Sequence, residues 1–170
     1  LSRIYFDNAA TTALDPDVLA AMIPFLTEKF GNPSSIYSYG RETKMAIEMA
    51  RKSVAKILNA NPGEIFFTSG GTESTNTAIN AAIRDLGCRH IITSPIEHHA
   101  TMHTVEYMAH AGLAKLSFVN LTEKGHVDLN HLEELLAGSK ERSLVTLMHA
   151  NNEVGNLLKI KAVGELCEKY

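Results

Sequence analysis

The sequence predicts an α/β layered fold on a mainly parallel sheet, and three observations carry that expectation. Short runs rich in β-branched and aromatic residues alternate with longer stretches of three-and-four periodicity, the pattern of strand–helix repeats. One such run, Glu64-Ile65-Phe66-Phe67-Thr68, leads through Ser69-Gly70-Gly71 into a helical pattern from Thr72. Of the 170 residues, 45% are hydrophobic and 21% charged, which is the balance of a globular chain with a buried core.

Taken in order, Asp15-Pro16-Asp17 predicts a helix start, with aspartate as N-cap and proline at the first helical position. This helix carries Val18, Leu19, Met22, Phe25 and Leu26, and Pro24 is expected to kink it. Gly31-Asn32-Pro33-Ser34-Ser35 reads as a loop. A longer helix is expected from Glu42 to Leu58, with Ile47, Ala50, Val54, Ile57 and Leu58 on one face. After the 64–68 strand, the helix from Thr72 aligns Ile79, Ala82, Ile83 and Leu86, with Gly87 as its terminator. Arg89–Thr93, Leu116–Val119 and Ser143–Met148 read as further strands, and His98–Ala111 as a helix. Leu129, Leu132, Leu135 and Leu136 mark a short amphipathic helix, and the last helix places Ala162, Val163, Leu166 and Cys167 inward. The expected organisation is an N-terminal arm over residues 1–13 followed by one doubly wound domain over 14–170.

Sixteen basic against nineteen acidic residues give a net charge of −3, which argues against a nucleic-acid footprint or a polybasic membrane anchor. Apolar runs are too short for a transmembrane span, and the opening residues lack the apolar core of a signal peptide. Cys88 and Cys167 lie far apart and read as small packed hydrophobes rather than a disulfide framework. The expectation is a soluble cytoplasmic protein.

Three constellations bear chemistry. Ser69-Gly70-Gly71-Thr72-Glu73, between a strand and a helix, is built like an anion site, where glycines let backbone N–H groups approach and Thr72 offers a hydroxyl. The same residues suit an ordinary turn in which Thr72 only caps the helix, and both readings stand on the local pattern. Neither G-x-G-x-x-G nor a P-loop is present, so a small phosphorylated cofactor fits better than a nucleotide. His99 and His103 are spaced i, i+4, but His110 would lie about 10 Å further along the helix, too far to share one ion. No metal is therefore expected. His149-Ala150-Asn151-Asn152-Glu153-Val154-Gly155 follows a strand, where parallel sheets bind ligands, although asparagine and glycine equally favour a plain turn.

Five segments together resemble the cysteine desulfurases of the NifS/IscS type, which are pyridoxal 5′-phosphate (PLP) enzymes. They are Tyr5–Thr12 (Tyr-Phe-Asp-Asn-Ala-Ala-Thr-Thr), Gly31–Ser35, Phe67–Ser74, His90–Thr93 with Glu97-His98, and His149–Gly155, in the family's order and over nearly the whole chain. The loop after Ser35 departs from the family, with Tyr37 where histidine is frequent. The resemblance implies that Gly71 and Thr72 hold the cofactor phosphate. It implies that His98 stacks on the pyridine ring and assists proton transfer as a catalytic residue. Asn152 would contact both cofactor and substrate. It also implies a homodimer with the aspartate-aminotransferase fold (fold type I), this chain being the front part of the large domain. The implied reaction converts L-cysteine to L-alanine and leaves sulfur as a protein persulfide. That sulfur is destined for a sulfur-acceptor or scaffold protein in iron–sulfur cluster or thio-cofactor assembly. The family's Schiff-base lysine, persulfide cysteine, pyridinium-pairing aspartate and substrate arginine fall beyond Tyr170, so this chain alone is expected to be inactive. A selenocysteine lyase, an aminotransferase-like enzyme and a non-catalytic fragment remain alternatives.

Overall fold

The computed structural model describes residues 3–170, and its first helix begins where local capping chemistry starts it. The Asp15 carboxylate accepts from the Asp17 and Val18 amides at 2.8 and 3.4 Å, and Pro16 occupies the first turn of α1 (Pro16–Thr27), where no amide is needed. The helix runs on past Pro24 without a break. The chain divides into two units between Phe67 and Thr68, and α1 lies in the first.

Helix α2 (Ser38–Leu58) begins at Ser38 rather than Glu42. Its first turn sits directly on the Gly31–Ser35 loop: a Cβ on Gly40 would strike the Asn32 and Ser35 carbonyls, and one on Gly31 would strike Tyr39. The loop is tied to itself, since Ser34 donates to the Asn32 side chain at 2.9 Å and Ser35 to its carbonyl at 3.0 Å. The expected apolar faces are at most half-buried, because no described residue of this unit covers them fully. Helix α1 buries no residue, α2 buries only Gly40 and Ala55, and Ile57 is 82% exposed.

Residues 64–68 also depart from expectation. Pro62–Glu64 form a single 3₁₀ turn, and Ile65 is extended at φ −100°, ψ 121° but pairs with no strand among the described residues. Arg51 instead donates to the Ile65 carbonyl and lies 5.0 Å over the Phe67 ring. Extended propensity sets the backbone here, but a ladder needs a neighbour.

The second unit is a three-stranded parallel sheet in the order β2-β1-β3, from β1 (His90–Thr93), β2 (Lys115–Phe118) and β3 (Ser143–Val145). Around it lie α3 (Gly71–Arg84), α4 (His99–His110), α5 (Leu129–Ala137) and α6 (Ile160–Lys169). All of β1 is buried. Successive strand residues face opposite ways, so Ile91 packs with Ile79, Ala82 and Ile83 of α3 and Val105 and Met108 of α4. Ile92 packs on the other side with Leu132 and Leu136 of α5 and Val163 of α6. Two expected inward residues are not inside: Leu86 lies beyond the end of α3 and is exposed, and Cys167 is exposed on α6. Cys88 is buried as expected. No helix among the described residues is long and apolar enough to cross a membrane.

His90 of β1, 3% exposed, reaches both neighbouring strands: Nε2 lies 2.9 Å from Ser117 Oγ on β2, and Nδ1 lies 3.4 Å from Ser143 Oγ on β3 and 3.0 Å from Ser139 Oγ. Ser139 spends its proton on the Glu141 carbonyl, so it accepts from Nδ1–H and leaves Nε2 to accept from Ser117. Burial, and then the charge of Lys115, hold the imidazole below its ordinary value.

Two outcomes follow. The unfolded chain takes up this proton first as pH falls below about 6.5, so stability present at neutral pH is lost on acidification. Thermal midpoints between pH 7.5 and 5 should fall accordingly, and His90→Asn should flatten that slope. Gly40→Ala, which forces backbone apart, should cost about 1–3 kcal/mol in denaturant titrations, whereas Gly63→Ala, with open space around it, should cost less than half of that.

Candidate functional site

Parallel strands aim their carboxyl ends at one side of the sheet, and ligands bind where the connections diverge. Here β1 connects through α4 to β2 on one side, while β3 lies on the other, so the divergence falls between β1 and β3. A cleft of about 720 Å³ opens beside that point, lined by Gly71, Thr72 and Thr75 of α3, by Glu97 and His98 before α4, and by residues 144–148 of β3 and its extension.

The start of α3 leaves backbone donors facing the cleft. Its first intrahelical bond runs from the Ser74 amide to the Gly70 carbonyl at 3.1 Å, so the Gly71, Thr72 and Glu73 amides precede the helical ladder. A Cβ on Gly71 would meet nothing within 4 Å, so no protein packing demands the glycine there; what it leaves is open backbone on the cleft. Glu73, the obvious obstacle to an anion, is turned back on the preceding turn. Its Oε2 accepts from the Ser69 hydroxyl at 2.6 Å and the Ser69 amide at 2.7 Å, and these bonds hold its carboxyl below the usual range. A relay then ties this turn to α4: Asn76 donates to the Thr72 carbonyl at 2.9 Å and accepts from the Thr104 hydroxyl.

His98 is the N-cap of α4, and its Nδ1 accepts from the Ala100 amide at 3.1 Å. A neutral ring that accepts at Nδ1 carries its proton on Nε2. His99 and His103 lie with ring centroids 5.4 Å apart, and His110 ends the helix. Among the described residues no group of three or more His, Cys, Asp or Glu side chains could hold a metal.

Asn152 sits in a turn after β3 and donates to Glu153 Oε1 at 3.1 Å. The turn is made by its neighbour Asn151, whose Oδ1 accepts from the Glu153 and Val154 amides at 2.9 and 3.0 Å, with Gly155 at φ 73° closing it. The turn chemistry is thus present, but β3 ends at Val145 rather than Met148, so the turn follows the strand at the end of a non-ladder extension. Gly71, Thr72 and His98 line the one cleft, whereas Asn152 is not among its lining residues. Sequence reasoning missed Glu97, Asn76, Thr104 and Asn151 as parts of the scaffold. Thr104 is 28 residues from Asn76 and Glu97 is 51 from its partner Met148, so no local pattern signals either pair.

Residues 4–170 match the family model described as aminotransferase class-V. A protein named cysteine desulfurase IscS from Clostridium botulinum (strain Hall) is 45% identical over 170 residues, covering 98% of this chain and 42% of that protein. Among solved structures, a NifS-like protein superposes with a TM-score of 0.90 at 42% identity, over 99% of this chain and 46% of that one. A structure titled SspA in complex with cysteine has a TM-score of 0.89 at 32% identity, over 97% of this chain and 47% of that one. The chain spans 42% of the length of the curated relative. With the parallel sheet, the helix-start cleft and the matched residues 4–170 in agreement, the chain belongs to the class-V aminotransferase family.

Proposed function

We propose that this chain supplies the phosphate-holding and ring-facing part of a PLP-dependent cysteine desulfurase. The observation that carries the proposal is the convergence of the open Gly71-Thr72 backbone and His98 on one cleft beside the strand divergence. The similarity to proteins named cysteine desulfurase and to a structure holding cysteine supports the substrate class. In this reading residues 1–13 are an arm and residues 14–170 the front part of the large domain. The whole protein is a cytoplasmic homodimer that hands sulfur to an acceptor or scaffold protein.

Gly71 and Thr72 would hold the cofactor phosphate through backbone amides and the Thr72 hydroxyl, with charge supplied by the start of α3. His98 would face the pyridine ring, and Asn152 would contact cofactor and substrate. The cofactor, when bound, supplies an electron sink for the substrate's α-carbon. His98 keeps Nδ1 committed to Ala100, so any proton it passes leaves from Nε2. The overall exchange balances: cysteine and a protein thiol give alanine and a protein persulfide.

Pyridoxine 5′-phosphate, which has no aldehyde to react with surface lysines, is a clean probe. The chain should bind it with fluorescence change, inorganic phosphate should compete, and Thr72→Val should weaken binding about tenfold. Absence of binding, or binding indifferent to phosphate, would overturn the reading. Long-range ¹⁵N–¹H spectra at pH 8 should show His98 protonated on Nε2 and bare on Nδ1; the opposite tautomer would remove it as an Nε2 donor.

A further inference from the structure

Glu97 stands in the connection from β1 to α4, and Asn151 in the connection from β3 to α6. Each reaches across to the other's loop. Glu97 Oε1 accepts from the Met148 amide at 2.9 Å and from Ser94 Oγ at 2.6 Å. Asn151 Nδ2 donates in the reverse direction to the Ile96 carbonyl at 2.8 Å, while its Oδ1 holds its own turn. Asn151 is buried and Glu97 half-buried, so both bonds are shielded from competing water. Just beneath them, Thr93 Oγ1 donates to the Thr146 carbonyl at 2.9 Å. Each latching residue directly precedes a proposed ligand contact: Glu97 precedes His98, and Asn151 precedes Asn152.

We infer that Glu97 and Asn151 are positioning residues, a reciprocal latch that sets His98 and Asn152 at a fixed separation. The inference rests on the proposed function for what the two loops present, but the latch itself stands on geometry. A side chain that crosses once would allow the loops to pivot; two crossing in opposite directions remove that freedom. Glu97 acts as an acceptor, so glutamine can replace it. Asn151 needs both an acceptor for its turn and a donor for Ile96, so aspartate keeps the turn and loses the crossing bond.

The test uses Glu97→Ala, Glu97→Gln, Asn151→Asp and the double variant Glu97→Ala/Asn151→Asp, with two readouts. The first is amide hydrogen exchange over residues 94–101 and 146–155. Glu97→Ala should speed exchange in both segments together, about tenfold at Met148, while Glu97→Gln stays close to the parent. The second is affinity for pyridoxine 5′-phosphate. Glu97→Ala and Asn151→Asp should each weaken it about fivefold to tenfold, the double variant should be no worse than about twice the weaker single, and glutamine should restore it. Exchange that rises in one segment only or in neither, glutamine behaving like alanine, or effects that multiply in the double variant would each overturn the latch. If Glu97→Ala does not fold, Glu97→Gln and Asn151→Asp decide on the same readouts. If the parent chain fails to bind the probe, the functional reading falls, and the exchange data judge the latch by themselves.

Discussion

Strand β1 is four residues long, and the second unit is organised around it. It takes hydrogen bonds from β2 on one edge and β3 on the other, and its two isoleucines bury themselves in opposite directions. Full burial of such a side chain is worth about 1.5–3 kcal/mol, so Ile91 and Ile92 each anchor one helical layer. Because β1 is central, the connection leaving it and the residues following β3 emerge side by side. The candidate cleft is a consequence of that placement: His98 and residues 146–148 border the same space because their strands are neighbours.

Polar groups then do locally what the core does globally. At the amino end of the sheet His90 is held among Ser117, Ser139 and Ser143, each strand contributing to one buried network. At the carboxyl end Glu97 and Asn151 join the two loops, and Asn76 joins α3 to α4 through Thr104. No buried side-chain polar atom among the described residues lacks a partner. A network of this kind is costly when partly broken, so it holds the loops that border the candidate cleft in one arrangement.

The first unit shows the opposite economy. Its glycines at 31 and 40 allow a loop and a helix to touch backbone to backbone, yet most of its large apolar residues stay exposed. Periodicity identifies an apolar face correctly, but it cannot say what covers that face. The same holds for residues 64–68, whose composition reads as a strand while none of the described residues forms a neighbouring strand to pair with it.

What the sequence determined by itself was whatever short-range physics decides. Asp15 caps, Pro16 opens and Gly87 turns; the periods of α3, α4 and α5 mark Ile79, Ile83, Val105, Met108, Leu132 and Leu136 as interior. That Gly71, Thr72 and His98 stand at helix starts was legible too, because each lies in a short contiguous motif; that they border one cleft needed the fold. The tertiary structure alone decided the strand order, the exposure of Cys167 and Leu86, and the pairing of Glu97 with Met148 and Asn151 with Ile96. The physical reason is sequence separation. Capping and helical periodicity act over a few residues, whereas a hydrogen bond between partners some fifty positions apart exists only after the sheet has brought their strands together.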